Sequence, residues 1–186
     1  GGGEETERFR TAILRHLADK VDVTEVAHLE QLATHSNIQR DPRGRVLATA
    51  YLGLVPSSVS PKLPADTAWH AVADLPQTAF DHADFISAAI ERLRAKLTYT
   101  NIGFALAPEE FTLSELRDII SGALGYPVTQ TNLARVMTRR RLIEPTRARA
   151  LSGPTGGRPA MRFRFRSREL EVTDPFAVLK PRSGVA

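Results

Sequence analysis

The sequence predicts an α/β (α+β) chain in two parts: a mixed sheet with helices over residues 1–102, then a helical and hairpin segment over residues 103–186. Three observations carry this expectation. Strand-like runs and helical apolar stripes alternate through the first part. In the second, Phe111 to Arg168 holds two short amphipathic helices followed by two strands around a glycine-rich loop. Charge is divided between the parts. From Arg117 to Arg168 there are twelve Arg, no Lys and two acids (Asp118, Glu144), a net of +10. Residues 1–116 carry eleven Lys/Arg against sixteen Asp/Glu, a net of −5. Such a split suggests that one part meets a polyanion.

In chain order, residues 4–20 form a helix with Phe9, Ala12, Ile13 and Leu17 on one face. From Thr24 the run TEVAHLEQLATHS is strand-like, with Leu29, Gln31 and Ala33 alternating against Glu30, Leu32 and Thr34. Asp41-Pro-Arg-Gly44 is a turn between two runs. Val46 to Val55 is apolar on both faces, which predicts a central strand of a sheet covered on both sides. Residues 57–66 are rich in Ser and Pro and read as a loop. Trp69 is expected to begin a further short strand and to lie in the core or a pocket wall. A helix over 84–99 carries Phe85, Ile86, Ala89, Ile90, Leu93 and Leu97, and residues 105–110 read as a linker.

The next helix has a clear start. Thr112 followed by Glu115 is a capping box, and Phe111 with Leu116 supplies a hydrophobic staple. Gly125 stops this helix and Pro127 delays its resumption. Thr129 caps the second, with Val128 and Leu133 as its staple. Stepping about 100° per residue, Leu133, Val136 and Met137 share one face. Thr131, Arg135, Thr138 and Arg139 point the other way, with Asn132 at the margin. These long donors, amide and small hydroxyls are the groups that reach base edges and phosphates from the major groove. Arg140 falls on the apolar side, where it snorkels or pairs with helix C-terminal carbonyls. Pro145 to Leu151 reads as a strand, residues 153–159 as a loop, and Met161, Phe163 and Phe165 alternate with arginines. Two helices and a hairpin tipped by Arg158 make a winged helix-turn-helix. Arg147, Arg149, Arg158 and Arg162 are the expected phosphate contacts.

Composition narrows the chemistry. Without cysteine there are no disulfides, thiolate metal sites or cysteine nucleophile. No apolar run reaches the roughly 18 residues of a membrane span, so a cytoplasmic protein without a membrane partner is expected. The histidines at 16, 28, 35, 70 and 82 lack zinc spacings, and no catalytic residue or metal ligand is assigned.

Residues 1–23 also lie on the Nudix box pattern, G-x5-E-x7-R-E-U-x-E-E-x-G-U with U aliphatic. Gly1, Glu7, Arg15, Leu17 and Val23 match; His16, Asp19-Lys20 and Asp22 depart from it. Magnesium needs hard oxygen ligands in near-octahedral geometry, which His16 and Lys20 do not supply. A degenerate Nudix-like domain without hydrolase chemistry is expected. A Nudix fold has strands ahead of its box, so a sheet without those strands, open at one edge, is expected too.

With LEQLATHSNIQRDPRGRV (29–46), DTAWHAVADLPQTAFDH (66–82), KLTYTNIGFAL (96–106), FTLSELRDI (111–119) and GGRPA (156–160), the chain resembles the NrtR family of transcription regulators. The resemblance implies a repressor of NAD synthesis and salvage genes that binds palindromic duplex DNA as a homodimer. It also implies an effector, ADP-ribose or a related NAD metabolite, and no required cofactor. By motif, Asn132, Arg135 and Arg139 fall on the family's recognition helix and Gly157-Arg158-Pro159 on its wing. The alternative is a Nudix-type ADP-ribose pyrophosphohydrolase with an accessory nucleic-acid-binding domain. A winged helix that binds RNA or protein is a third reading.

Overall fold

The computed structural model describes residues 2–35, 48–78, 82–149 and 160–174. The chain divides into two compact units, residues 1–89 and 90–186.

In the first unit, α1 runs over Gly2–Val21. Its Ala12, Ile13 and Leu17 are half-buried, whereas Phe9, expected on the same face, is 60% exposed. The helix stops where Asp22 takes a left-handed backbone (φ 55°) and returns its N–H to the Ala18 carbonyl. The Asp22 carboxylate then accepts the Lys62 backbone N–H at 2.8 Å, tying the Ser/Pro-rich loop to the end of α1. Strands β1 (His28–His35) and β2 (Ala48–Leu54) pair antiparallel, with Leu29 opposite Gly53 and His28 opposite Leu54.

Three expectations are corrected in this unit. The alternation in β1 fails beyond Gln31, because the register shifts between Gln31 and Ala33, and a bulge exchanges the faces of the residues that follow. Among the described residues β2 pairs with β1 alone and only its Leu54 is buried, so the expected central, doubly covered strand is not seen among them. Trp69 is 66% exposed in irregular chain and neither starts a strand nor lies in the core. The turn expected at Asp41 to Gly44 lies outside the described residues.

Helix α2 (His82–Tyr99) carries the expected apolar stripe half-buried, and from Ile90 onward it belongs to the second unit. Residues 105–110 are not a linker. A 3-10 turn at Ile102–Ala105 is fully buried, as is Ala107. Short apolar residues before a proline read as a connection locally, but here they are the floor of the core. Gly103 is needed for this packing, since a Cβ there would lie 3.3 Å from both Ile120 Cδ1 and Phe165 Cζ.

Strand β3 (Phe111–Thr112) leads into α3 (Leu113–Leu124). Both halves of the capping box are made: Glu115 N–H donates to Thr112 Oγ1 at 3.2 Å, and the Thr112 N–H donates to Glu115 Oε2 at 2.6 Å. The staple residues Phe111 and Leu116 are fully buried. Gly125 ends α3 in a left-handed conformation (φ 79°), and a Cβ there would stand 2.3 Å from an Arg94 guanidinium nitrogen. Helix α4 (Gln130–Arg139) starts at Thr129, whose Oγ1 accepts the Asn132 N–H, and buries Leu133 and Met137.

The hairpin is β4 (Ile143–Arg149) with β5 (Met161–Phe165), and the three-stranded sheet has the order β3-β5-β4. Strand β4 begins two residues before the expected Pro145, because Leu142, buried at 5% exposure, delivers Ile143 into register with Phe165. Residues 150–159, which include Leu151, Gly157, Arg158 and Pro159, lie outside the described residues.

Candidate nucleic-acid interface

The turn between α3 and α4 is short and internally fixed. Gly125 reverses the chain, and Ser121 Oγ accepts the Val128 N–H at 3.0 Å, so α4 starts from a tethered point. Its far end is a complete Schellman motif, with the Arg141 N–H on Thr138 O (3.0 Å) and the Leu142 N–H on Met137 O (2.9 Å). The left-handed position is Arg141, φ 52°, where glycine is usual.

With Leu133 and Met137 buried, the opposite face of α4 is exposed. Thr131, Asn132, Arg135, Thr138 and Arg139 all lie on it. Arg135 Nη2 donates to Asn132 Oδ1 at 2.8 Å, which orients the amide so that its own N–H donors and the rest of the guanidinium remain for a partner. Arg139 has no hydrogen bond or ion pair among the described residues. The structure therefore brings five of the nine expected contact residues onto one helix face.

The other four sort differently. Arg147 projects exposed from β4. Arg149 is the last residue of β4, with its side chain outside the described residues, as is the whole of Arg158. Arg162 is half-buried and donates to the Glu110 carbonyl at 3.3 Å, so it serves the β3–β5 junction.

The remaining arginines explain how the +10 segment folds. Arg164 and Arg166 both reach Glu144 across the hairpin, at 2.7 and 3.7 Å, and Arg117 pairs with Asp118. Arg168 donates to the carbonyls of Phe104, Ala107 and Pro108, satisfying the end of the 3-10 turn. Arg140 is held by the carbonyls of Leu97, in the last turn of α2, and of Thr100 just beyond it, as pairing with a helix C-terminus predicts, although the helix is not its own. Burial pushes the Arg140 pKa down from its ordinary value; Asp174 opposes that shift and Arg139 adds to it. Sequence reasoning missed Arg141, an exposed guanidinium just beyond α4 without a partner among the described residues. Its signal was weak, since the helical period ends before it.

On α1, Glu7, Arg15, His16, Asp19 and Lys20 are all exposed. An imidazole, one carboxylate and an ammonium at positions 16, 19 and 20 do not make a donor set for magnesium, which takes hard oxygen ligands. Among the described residues no helix is long and apolar enough to cross a membrane.

A strand, a helix-turn-helix and a hairpin whose second strand lies between that strand and its own partner define a winged helix domain. The sequence pattern of the NrtR DNA-binding winged helix domain matches residues 103–165. NrtR of Shewanella oneidensis is 34% identical, with a TM-score of 0.61 over 82% of this chain and 70% of that one. The same protein crystallised with a 27mer DNA gives 31% identity and a TM-score of 0.62, again over 82% and 70%. A curated relative, the ADPR responsive transcriptional repressor NtrR of Acinetobacter baylyi, is 28% identical over 184 residues, 96% of this chain and 72% of that protein. A MutT/nudix family protein of Enterococcus faecalis, 22% identical with a TM-score of 0.63 over 83% of this chain and 68% of that one, shows the Nudix-like fold. The chain belongs to the NrtR family of transcription regulators.

Proposed function

We propose that this protein is a DNA-binding transcriptional repressor of NAD synthesis and salvage genes. Two copies would bind a palindromic duplex, and the Nudix-like part would respond to ADP-ribose or a related metabolite without hydrolysing it. The observation that carries the reading is the exposed face of α4, where Asn132, Arg135 and Arg139 present donors with few internal partners. A relative complexed with a 27mer DNA and another described as ADPR responsive support the same assignment. In it, Thr131, Asn132, Arg135, Thr138 and Arg139 read the major groove. Arg147, Arg149 and Arg158 neutralise phosphates, whereas Arg162, spent on the Glu110 carbonyl, drops out of the expected set. Two-fold symmetry would set the two α4 helices about 34 Å apart, one helical turn of DNA.

The test is a fluorescence anisotropy titration of promoter duplexes from NAD genes at several salt concentrations, with and without ADP-ribose. Affinity should fall steeply with salt, with a slope of about −0.9 per phosphate neutralised, and Arg147→Ala should reduce the slope by about one. ADP-ribose should release the duplex. A flat salt response would remove the basic hairpin from the interface, and indifference to ADP-ribose would remove the effector.

The competing hydrolase reading draws on the MutT/nudix fold likeness. Given His16 and Lys20, ADP-ribose incubated with magnesium and the protein should yield no AMP above a protein-free control. Magnesium-dependent AMP release would restore the enzyme.

A further inference from the structure

Arg140 ends α4, and its guanidinium is spent on other elements. Nε donates to Thr173 Oγ1 at 3.0 Å, Nη1 to the Leu97 carbonyl at 3.3 Å and Nη2 to the Thr100 carbonyl at 2.5 Å, with a second Nη2 contact to Thr173 Oγ1. Leu97 lies in the last turn of α2 and Thr100 directly follows its last residue, where the carbonyls of a helix end form its negative pole. Thr173 is itself fixed there, because its backbone N–H and its hydroxyl both donate to the Tyr99 carbonyl, at 2.8 and 3.4 Å.

The residues beneath this clamp are buried and hydrogen-bonded. Thr100 and Asn101 are each 3% exposed. Asn101 Nδ2 donates to the Glu169 carbonyl at 2.8 Å, and its Oδ1 accepts the Glu171 N–H at 2.7 Å. Thr100 forms a bridge with Val172. The chain that leaves β5 is thus strapped across the end of α2, and Arg140 joins α4 to that strap.

Among the described residues the other directional hold on α4 is at its start, where Ser121 Oγ accepts the Val128 N–H. Leu133 and Met137 bury apolar surface, which is favourable but non-directional. The Thr129 cap is internal to the helix. Recognition groups must be held to within about 0.5 Å to make their hydrogen bonds. Arg139, a neighbour of the clamp, and Arg135 and Asn132, one turn and two turns before it, ride on the same short helix.

We infer that Arg140 is a positioning residue for base recognition: it sets the rotation and register of α4 by locking its C-terminus to α2 and Thr173. Its donors face protein carbonyls and a hydroxyl, so it touches no base or phosphate. Lysine keeps the charge but lacks the planar fork that serves three acceptors together. This role rests on the DNA-binding reading above.

The experiment uses the full chain and a duplex selected by the wild-type protein from a random pool, with a scrambled duplex as control. Arg140→Lys should weaken binding of the selected duplex by about tenfold, the size of one lost bidentate base contact, while scrambled-duplex affinity stays within about twofold. The salt slope should be that of the wild type, because no phosphate contact is lost. Thr173→Val should show the same pattern at about threefold, removing part of the clamp. If Arg140→Lys does not fold by circular dichroism, Thr173→Val decides by the same ratio. An unchanged ratio of the two affinities overturns the role. So does an equal loss on both duplexes with a slope smaller by about one, which would make Arg140 a phosphate contact. A wild-type protein that enriches no duplex overturns the DNA reading itself; a wild type that binds while the variant keeps its ratio overturns the positioning role alone.

Discussion

Arg135→Ala and Arg139→Ala are each expected to weaken binding of the cognate duplex by about 5- to 150-fold, the equivalent of about 1–3 kcal/mol for a lost base contact. Both side chains are exposed on the face of α4 opposite Leu133 and Met137, so neither removal opens a cavity. Arg139 lies in the last turn, where its charge favours the helix dipole, and losing it costs at most about 1 kcal/mol of stability. The two substitutions should differ in character. Arg135 holds Asn132 through its amide oxygen, so its removal loses one contact and leaves a second group unoriented. Arg135→Ala should therefore relax base preference most. A titration of cognate and scrambled duplexes beside a thermal melt separates the cases. Base readers lose the ratio between the duplexes, whereas phosphate contacts lower both affinities together and reduce the salt slope. An unaltered cognate affinity in either variant would remove that residue from the reading face.

What could be read from sequence depended on how local its cause was. The Thr112–Glu115 capping box, the stop at Gly125 and the Thr129 cap are set by residues within one turn of each other, and all three stand as expected. The two faces of α4 follow from a single helical period. The features missed depend on distant partners. Residues 105–110 look like a linker because nothing nearby shows that Ala105 and Ala107 are buried beside the turn where Ile120 and Phe165 close over Gly103. The run from Val46 to Val55 looks central because its residues are apolar, but pairing is decided by the rest of the sheet, and β2 meets β1 alone among the described residues. Trp69 illustrates the same limit: a large apolar side chain predicts burial only if another element covers it. Within the basic segment, a sequence cannot divide arginines that will face a partner from those that will serve carbonyls. Arg139 and Arg140 are adjacent, yet one is exposed and the other is the clamp on α2.

Phe111→Ala should act by the opposite route, destabilising the winged helix by about 3–5 kcal/mol, as large-to-small substitutions of buried aromatics do. Phe111 is 0% exposed and has three structural tasks. Its backbone pairs β3 with β5 opposite Phe163. Its ring meets Phe165 with centroids 5.4 Å apart and planes tilted by 53°, an arrangement that aromatic quadrupoles favour. As the residue before the Thr112 cap, it also fixes how the chain enters α3, together with buried Leu116. Such a loss is a large share of the about 5–15 kcal/mol that holds a typical domain together. Urea unfolding followed by circular dichroism should show a much lower midpoint, and DNA binding should fall with the folded fraction as temperature rises. Phe111→Leu should recover much of the loss, since it keeps the staple and most of the buried area while giving up the ring contact. A Phe111→Ala unfolding free energy within about 1 kcal/mol of wild type would show that Leu116 and Phe165 close the core without it. The contrast with Arg135→Ala is in the order of events: there binding fails in a folded protein, and here the reading face is lost because its support unfolds first.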